Sequence, residues 1–208
     1  LAAVFEAKQS GKGQVVDAAM FEGAAALGAM THGLAAAGVW STDRESNLLD
    51  GGTPFYDTYR TADERFVAVG AIEPQFFSAL IDGLGFDSDR KETQWDQAGW
   101  DDLRQDLVSA FGAQSRDHWV SHFSGTDACV SPVLTYEEAA THPHSVSRSS
   151  FISIDGVIQP APVPRFSRSS VAVPHPPVDP GTHSLAILEE FGFASDEIAG
   201  LIDQGICR

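Results

Sequence analysis

The stretch that most constrains the fold is VAVGAIEPQFF, residues 67–77, in which a β-branched run is followed by a proline and two aromatic residues. Proline fixes its own φ angle and donates no backbone hydrogen bond, so it suits the first turn of a helix and excludes a central strand. The stretch therefore predicts a strand, a short junction, and a helix that begins at Pro74. The apolar residues beyond the junction have helical spacing: Phe76, Phe77, Leu80, Ile81 and Leu84.

Glu73 is the one carboxylate at this junction. As an N-cap, its side chain would accept hydrogen bonds from free N–H groups of the helix, and the helix dipole would favour its ionised form. Alternatively, a carboxylate held at the end of an element can hydrogen-bond a catalytic histidine or take up a proton itself. The residue types alone favour the cap.

A hairpin is predicted before the junction, because PFYDTYR and RFVAVGA flank the turn residues ADE. Side chains alternate between the two faces of a strand, and Phe55 and Tyr59 are at odd positions whereas Tyr56 is at an even one. Tyr56 should therefore lie on the opposite face of the sheet. By default Tyr56 is a core aromatic. It becomes a ligand contact if its face lines a cleft.

The first forty residues predict two further elements. LAAVFEAKQS begins in mid-helix without methionine, and Lys8 and Gly11 are typical of a helix end, so we expect an upstream part to precede this chain. Residues 15–40 are nearly all apolar, but Glu22 and His32 would lie inside a membrane span. A short strand followed by a buried helix is therefore the preferred prediction.

The second half of the chain predicts helices separated by extended segments. Residues 95–123 have the pattern of two helices, and a hairpin should turn at residues 155–156, which are Asp-Gly. The proline-rich residues 171–184 exclude a helix or central strand and predict a surface connector. A terminal helical pair follows, with Ser195 as the N-cap of its second helix.

The charge of the chain limits its partners. Thirteen Lys and Arg against 29 Asp and Glu leave a formal net charge of −16, which repels nucleic acid and anionic membrane surfaces. The two cysteines, Cys129 and Cys207, lack metal-binding spacing and are too few for a disulfide framework. A reducing cytoplasm is the expected location.

None of the seven histidines predicts a triad or a metal site. His118 and His122 lie four apart on a predicted helix, but HWVSH lacks the glutamate of the HExxH pattern. His142 and His144 are expected in an exposed loop, and His32 on an Ala-rich helix is expected to be hydrogen-bonded or half-buried rather than catalytic. The short glycine runs GKG and DGG are predicted to be turns, since neither has the spacing of a phosphate-binding loop.

Five separated stretches, in order, resemble the α-methylacyl-CoA racemase branch of the family III CoA-transferase superfamily. They are GKGQVVDAAM, NLLDGGTPFYDTY, VAVGAIEPQFF, DACVSPVLTYEEA and PVPRFSRS. The resemblance covers essentially the whole chain and implies a racemase that interconverts the R and S epimers of 2-methylacyl-CoA thioesters. It implies no cofactor, because acyl-CoA is the substrate, and it places the enzyme in branched-chain fatty-acid and lipid metabolism.

The resemblance also assigns site residues. In the family, a histidine and an aspartate exchange the α-proton, and a glutamate of the GAIEPQF stretch supports the histidine. Glu73 matches that glutamate, and Tyr56 matches a tyrosine near the acyl-CoA site. The family's histidine and aspartate lie upstream of GKGQVVDAAM and match no residue here, so this chain alone is expected to be inactive.

The fold implied by the resemblance is α/β, with a Rossmann-like large domain and a small α+β domain in an interlocked homodimer. Residues 1–60 would end the large domain and form a linker, residues 61–150 would form the small domain, and residues 151–208 would return to the large domain. The active site in the family lies between the large domain of one subunit and the small domain of the other.

Two alternatives remain open. A CoA-transferase of the same superfamily would use an aspartate nucleophile, also upstream, to move CoA between carboxylic acids. A non-enzymatic, acidic interaction module would instead fold as a monomer without affinity for CoA esters. The GAIEPQF and DGGTPFYD stretches favour the racemase.

Overall fold

The computed structural model describes residues 1–173 and 175–207, which divide into two compact units, Leu1–Val133 and Leu134–Arg208. The first unit contains α1 (Ala2–Ser10), α2 (Met20–Leu27), α3 (Ala29–Ala36), β1 (Tyr56–Arg60), β2 (Phe66–Gly70), α4 (Pro74–Leu84), α5 (Trp100–Phe111), α6 (Arg116–His122) and β3 (Val130–Pro132). The second contains α7 (Tyr136–Thr141), α8 (Pro143–Ser147), β4 (Phe151–Ile154), β5 (Val157–Pro160), α9 (Ser184–Glu190) and α10 (Ser195–Asp203). The predicted mixed α/β class is confirmed. The domain limits at residues 60 and 150 stay a prediction.

The N-terminal helix ends as the sequence predicts. Gly11 adopts a left-handed conformation with φ +73°, and its N–H donates to the carbonyl of Ala7 at 2.9 Å. Lys8 lies in the last turn of α1, where its charge complements the helix dipole.

The prediction for residues 15–40 is wrong. No strand forms there, and in place of one buried helix the structure has α2 and α3, neither of which contains a buried residue. Phe21 is 84% exposed and Leu27 is 89% exposed. Apolar residues are buried only where another element packs against them, which sequence composition cannot supply. Among residues 1–173 and 175–207, no helix has the length and apolar character that crossing a membrane requires.

The sheet of the first unit contains the predicted hairpin. Strands β1, β2 and β3 lie in that order and are antiparallel, and Tyr56 pairs with Gly70. Tyr59 is 2% exposed and Tyr56 is 37% exposed, so the predicted placement of the two tyrosines on opposite faces is confirmed. The described residues form no parallel strand pair in either sheet.

Helix α4 confirms the helical spacing predicted after Pro74. Phe77, Leu80 and Ile81 are fully buried in the core, and the helix ends at Leu84, followed by the C-cap Gly85, whose φ is +69°. The other side chains of this core come from β1, β2, α5, α6 and the segments next to them: Phe55, Tyr59, Val67, Val69, Ala71, Leu103, Leu107, Phe111, Trp119, Phe123 and Ala128. Each fully buried side chain of this size contributes about 1.5–3 kcal/mol of transfer free energy.

In the second unit, β4 and β5 form the predicted hairpin. Its turn residues Asp155 and Gly156 have φ +50° and +80°, as a two-residue turn of the Asp-Gly type requires. Residues 161–183 contain no helix or strand at any described position, in agreement with the predicted connector except at its last residue, Ser184, where α9 begins.

The terminal helical pair is confirmed, but its predicted cap is wrong. Ser195 is the first residue of α10, and Ala194 is the N-cap. The Glu197 carboxylate accepts a hydrogen bond from the Ala194 N–H at 2.8 Å. The acidic first turn, rather than a serine hydroxyl, therefore stabilises this helix start.

Candidate functional site

An open cleft of about 510 Å³ lies on the sheet of the first unit. Its walls are formed by residues 49–51 of the preceding loop, 56–58 of β1 and 68–70 of β2, together with Cys129 and Ser131. The cleft therefore lies where the DGGTPFYD stretch meets the end of β2.

Tyr56 lines this cleft. It pairs with Gly70 in the β1–β2 register, and a β-carbon at position 70 would lie 3.8 Å from Tyr56 Cε2. This distance is an ordinary van der Waals separation, so the tyrosine ring lies over Gly70 at the end of β2. Of the two roles considered for Tyr56, the structure thus excludes the core aromatic and leaves it available to a ligand.

Arg104 of α5 fixes one wall of the cleft. Its Nη2 donates to the carbonyls of Gly51 at 2.8 Å and Gly52 at 3.2 Å, and its Nη1 forms an ion pair with Asp57. One guanidinium thereby joins the loop to β1, which a planar group with several donors does better than an ammonium.

The loop that forms this wall is a tight turn in which the Asp50 carboxylate bonds to Asn47. Asp50 accepts hydrogen bonds from the side-chain amide of Asn47 at 2.6 Å and from its backbone N–H at 2.7 Å. These hydrogen bonds, with the side-chain bond the strongest, lower the pKa of Asp50 below its ordinary value. Gly51 has φ +95°, so the DGG run is a turn as predicted.

Glu73 lies at the junction between β2 and α4, but its predicted capping role is wrong. It occupies the N-cap position with φ −72° and ψ 143°, yet its side chain accepts no hydrogen bond from the helix start. The backbone carbonyl of Glu73 does accept, from the N–H groups of Phe76 and Phe77 at 3.0 Å each. The carboxylate is exposed and free of a structural task at the cap.

The negative charge of Glu73 affects Cys129, one of the residues that line the cleft. Removal from water raises the pKa of the Cys129 thiol, and the negative charges of Glu73 and Asp127 raise it further. Tyr56 and Cys129 line the same cleft, and Glu73 is not among its lining residues. Cys129 was missed as a site residue, and its place in the DACVSPV stretch is the only signal that pointed to it.

The histidines stay outside this site. The rings of His118 and His122 are stacked with centroids 6.0 Å apart, and His122 Nε2 lies 2.8 Å from the carbonyl oxygen of Gly83. His32 is exposed rather than half-buried, and His142 caps α8, in which His144 lies, instead of forming a loop. The described part of the chain contains no group of three or more His, Cys, Asp or Glu side chains that could hold a metal ion.

Comparison with known proteins gives the family. The family model described as CoA-transferase family III matches residues 1–184. The chain belongs to this family. It is 45% identical over 203 residues to the α-methylacyl-CoA racemase of Mus musculus, which covers 96% of this chain and 53% of the mouse protein. The racemase of Homo sapiens is 45% identical over 199 residues, covering 94% of this chain and 52% of the human protein.

Solved structures agree with a family III fold. Rv3272 from Mycobacterium tuberculosis has a TM-score of 0.67 at 19% identity, covering 88% of this chain and 48% of that protein. A CAIB/BAIF family protein from Brucella suis has a TM-score of 0.62 at 22% identity, covering 91% of this chain and 51% of that protein. The chain thus spans about half the length of the family III proteins it matches, and its match to the curated racemases is a C-terminal portion of them.

Proposed function

We propose that this chain is part of an enzyme that interconverts the R and S epimers of 2-methylacyl-CoA thioesters. The observation that carries the proposal is 45% identity to two curated α-methylacyl-CoA racemases across 94–96% of the chain. Because the match spans 94–96% of the chain, the aligned region includes the cleft and the junction that carries Glu73. The family model alone would leave the choice of reaction open.

The chemistry is a proton exchange at the carbon next to the thioester. The thioester acidifies the α C–H, one base removes this proton, and an acid on the opposite face returns one to the resulting enolate. In the family resemblance, the two groups are a histidine and an aspartate that match no residue of this chain. The residues that this chain would contribute are therefore supporting ones.

Two side chains are candidates for that support. Glu73 is exposed at a backbone junction and makes no cap hydrogen bond, so its carboxylate is available to orient and stabilise the histidine. Tyr56 presents its ring to an open cleft, where it would contact the acyl-CoA. The active site in this proposal is completed by a second subunit of a homodimer in the cytoplasm.

The test measures the loss of α-deuterium from a 2-deuterated 2-methylacyl-CoA by the complete polypeptide encoded by the gene. Wild-type protein should release deuterium to solvent without any second acyl acceptor. Glu73→Gln should slow this exchange about 10- to 100-fold, the usual effect of losing a supporting partner. Its free energy of unfolding should change by less than about 0.5 kcal/mol, since no cap hydrogen bond is lost. A large loss of stability with normal exchange would contradict the proposal.

A CoA-transferase is the second candidate, because one relative at 28% identity is the acetyl-CoA:oxalate CoA-transferase of Acetobacter aceti. It would transfer CoA between two carboxylic acids without releasing α-deuterium, so the same assay with an added acid separates the two reactions. A non-enzymatic module would bind no acyl-CoA at all. Calorimetric titration of the complete protein with an acyl-CoA distinguishes that alternative.

A further inference from the structure

Gln94 is a polar side chain placed inside the core. It follows the 3-10 turn Ser88–Thr93 and is 3% exposed. Its Nε2 donates to the carbonyl of Ile72 at 2.8 Å and to that of Ala71 at 3.2 Å. Because both partners are acceptors, only the NH₂ end of the amide can face them. A buried amide is costly unless its hydrogen bonds are made, so this contact specifies where the two carbonyls lie.

These two carbonyls belong to the junction that carries Glu73. The N–H groups of the same segment are held from the sheet: Gly70 donates to the Cys129 carbonyl at 3.0 Å, and Ala71 donates to the Phe55 carbonyl at 2.9 Å. Neighbouring backbone carbonyls therefore bind the N–H groups of Gly70 and Ala71, and Gln94 binds the carbonyls of Ala71 and Ile72. This leaves little freedom in the backbone directly before Glu73.

Glu73 depends on this backbone for its direction. Its side chain makes no hydrogen bond to the helix start, so no cap contact locks it. The direction of its Cα–Cβ bond follows from the backbone of residues 71–73, and Pro74 restricts the residue before it to an extended conformation. The observed φ −72° and ψ 143° agree with that restriction.

Gln94 is in turn held by the aromatic core. Trp100 Nε1 donates to the Gln94 backbone carbonyl at 2.9 Å, and the Trp100 ring packs edge to face on Phe55 with centroids 5.9 Å apart. The Phe55 carbonyl is the acceptor for Ala71. A closed set of contacts therefore runs from Phe55 through the junction to Gln94 and back through Trp100.

We propose that Gln94 is a positioning residue of the candidate site. It acts through the peptide groups of Ala71 and Ile72 and holds Glu73 where its carboxylate supports the catalytic histidine. The inference rests on the proposed racemase function and adds a residue more than twenty positions away from the junction.

The primary experiment is Gln94→Leu in the complete protein, with α-deuterium exchange as the readout. Displacement of a positioned group by about 1 Å can cost on the order of 100-fold in rate. We expect kcat to fall at least about 10-fold, while KM for the acyl-CoA changes less than about 3-fold, since Gln94 does not contact the cleft. A change confined to KM, or an unchanged kcat, would overturn the proposal.

Trp119→Phe is the matched control. It also removes a buried side-chain donor to a backbone carbonyl, that of Phe111 at 3.0 Å, at a position away from the junction. Both variants should lower the free energy of unfolding by similar amounts, but Trp119→Phe should leave the exchange rate unchanged. If the two variants slow exchange equally, Gln94 is a stabilising residue and nothing more.

A double variant tests whether Gln94 acts through Glu73. Gln94→Leu combined with Glu73→Gln should be no slower than Glu73→Gln alone, because the group being positioned has already lost its charge. Independent, multiplying losses would contradict this route.

A second variant covers the case in which Gln94→Leu does not fold. Trp100→Phe removes the donor to the Gln94 carbonyl and part of the ring that packs on Phe55, and it should lower kcat in the same way but less. Unchanged kcat in Trp100→Phe would overturn the inference. If the wild-type protein shows no exchange, the proposed function and this inference are both overturned. If the wild type and the Gln94→Leu and Trp100→Phe variants all exchange at the same rate, only the inference is overturned.

Discussion

Helices α2 and α5 show that apolar content and burial are separate properties. Of the eight residues in α2, MFEGAAAL, one is charged, and none is buried. The sequence of α5, WDDLRQDLVSAF, contains four charged residues, yet Leu103, Leu107 and Phe111 are buried in the core. These three lie four residues apart on one face, which packs with the sheet and the neighbouring helices.

The comparison shows that apolar residues form a core when they lie along one face of a helix and another element packs against that face. Helix α2 has apolar residues in all directions, and its alanines and glycine present little surface to interlock with a neighbour. Half of the residues of α5 are apolar, and those on one face pack into the core, as Phe111 does between Tyr59 and Trp119 with ring centroids 5.3 Å from each. Matched substitutions in the two kinds of helix can therefore break or confirm the contrast.

The largest expected effect comes from Phe111→Ala compared with Phe21→Ala. Phe111 is fully buried, and its removal should lower the free energy of unfolding by about 3–5 kcal/mol through lost transfer energy and a cavity. Phe21 is 84% exposed, and its removal should cost less than about 0.5 kcal/mol. Urea denaturation followed by tryptophan fluorescence measures both. Equal losses would mean that α2 is packed against a surface in solution, and the contrast would be wrong.

Smaller changes in stability are expected when two glycines are replaced by alanine, and the two changes should have opposite signs. A β-carbon at position 52 would lie 2.5 Å from the Asn47 carbonyl oxygen and 2.6 Å from its nitrogen, both backbone atoms that cannot move aside cheaply. Gly52→Ala should therefore destabilise the protein by about 1–3 kcal/mol. Gly23 in α2 has no neighbour within 4 Å of such an atom, so Gly23→Ala should stabilise by about 0.5–1 kcal/mol.

Thermal unfolding of the two variants, with far-UV circular dichroism as the readout, gives the sign of each change. A destabilised Gly23→Ala protein would show that α2 approaches another surface closely. A neutral Gly52→Ala protein would show that the loop wall of the cleft is free to move.

Local signals in the sequence predicted those elements whose formation depends on neighbouring residues alone. Pro74 could only begin a helix, residues 155–156 could only turn a hairpin, and the parity of Tyr56 and Tyr59 settled the faces of β1. The family resemblance was carried by several separated stretches and is confirmed by the family match. These parts needed no knowledge of distant contacts.

The remaining parts depended on contacts that no local pattern encodes. Whether residues 15–40 are buried depends on a surface elsewhere, and whether the Glu73 side chain caps α4 depends on the direction of one side chain. Gln94 lies 22 and 23 residues from its two acceptors, so nothing in its own neighbourhood marked it. Cys129 lines the cleft because the segment before β3 lies beside β2, where the Gly70 N–H donates to the Cys129 carbonyl at 3.0 Å. The roles of Glu73 and Tyr56 in the reaction stay predictions.

The smallest expected effect tests the electrostatic influence of Glu73 on Cys129, through the reactivity of the Cys129 thiol. The pKa of this thiol is raised by removal from water and by the charges of Glu73 and Asp127. Glu73→Gln removes one of these charges, so the pKa should fall, the thiolate fraction at a fixed pH below the pKa should rise, and alkylation should be faster. We expect an acceleration below about 10-fold, because a tenfold change would need a full pKa unit.

Glu64→Gln provides the matched control for this reaction. It also removes one negative charge, but Glu64 lies in the β1–β2 turn, where it pairs with Arg60 at 2.7 Å and does not affect the pKa of Cys129. Iodoacetamide labelling at pH 7.5, read by peptide mass spectrometry so that the two thiols are distinguished, should be faster only in Glu73→Gln. Equal labelling rates in both variants and the wild type would show that the charge of Glu73 does not act on Cys129. The carboxylate would then lie farther from the cleft in the assembled enzyme.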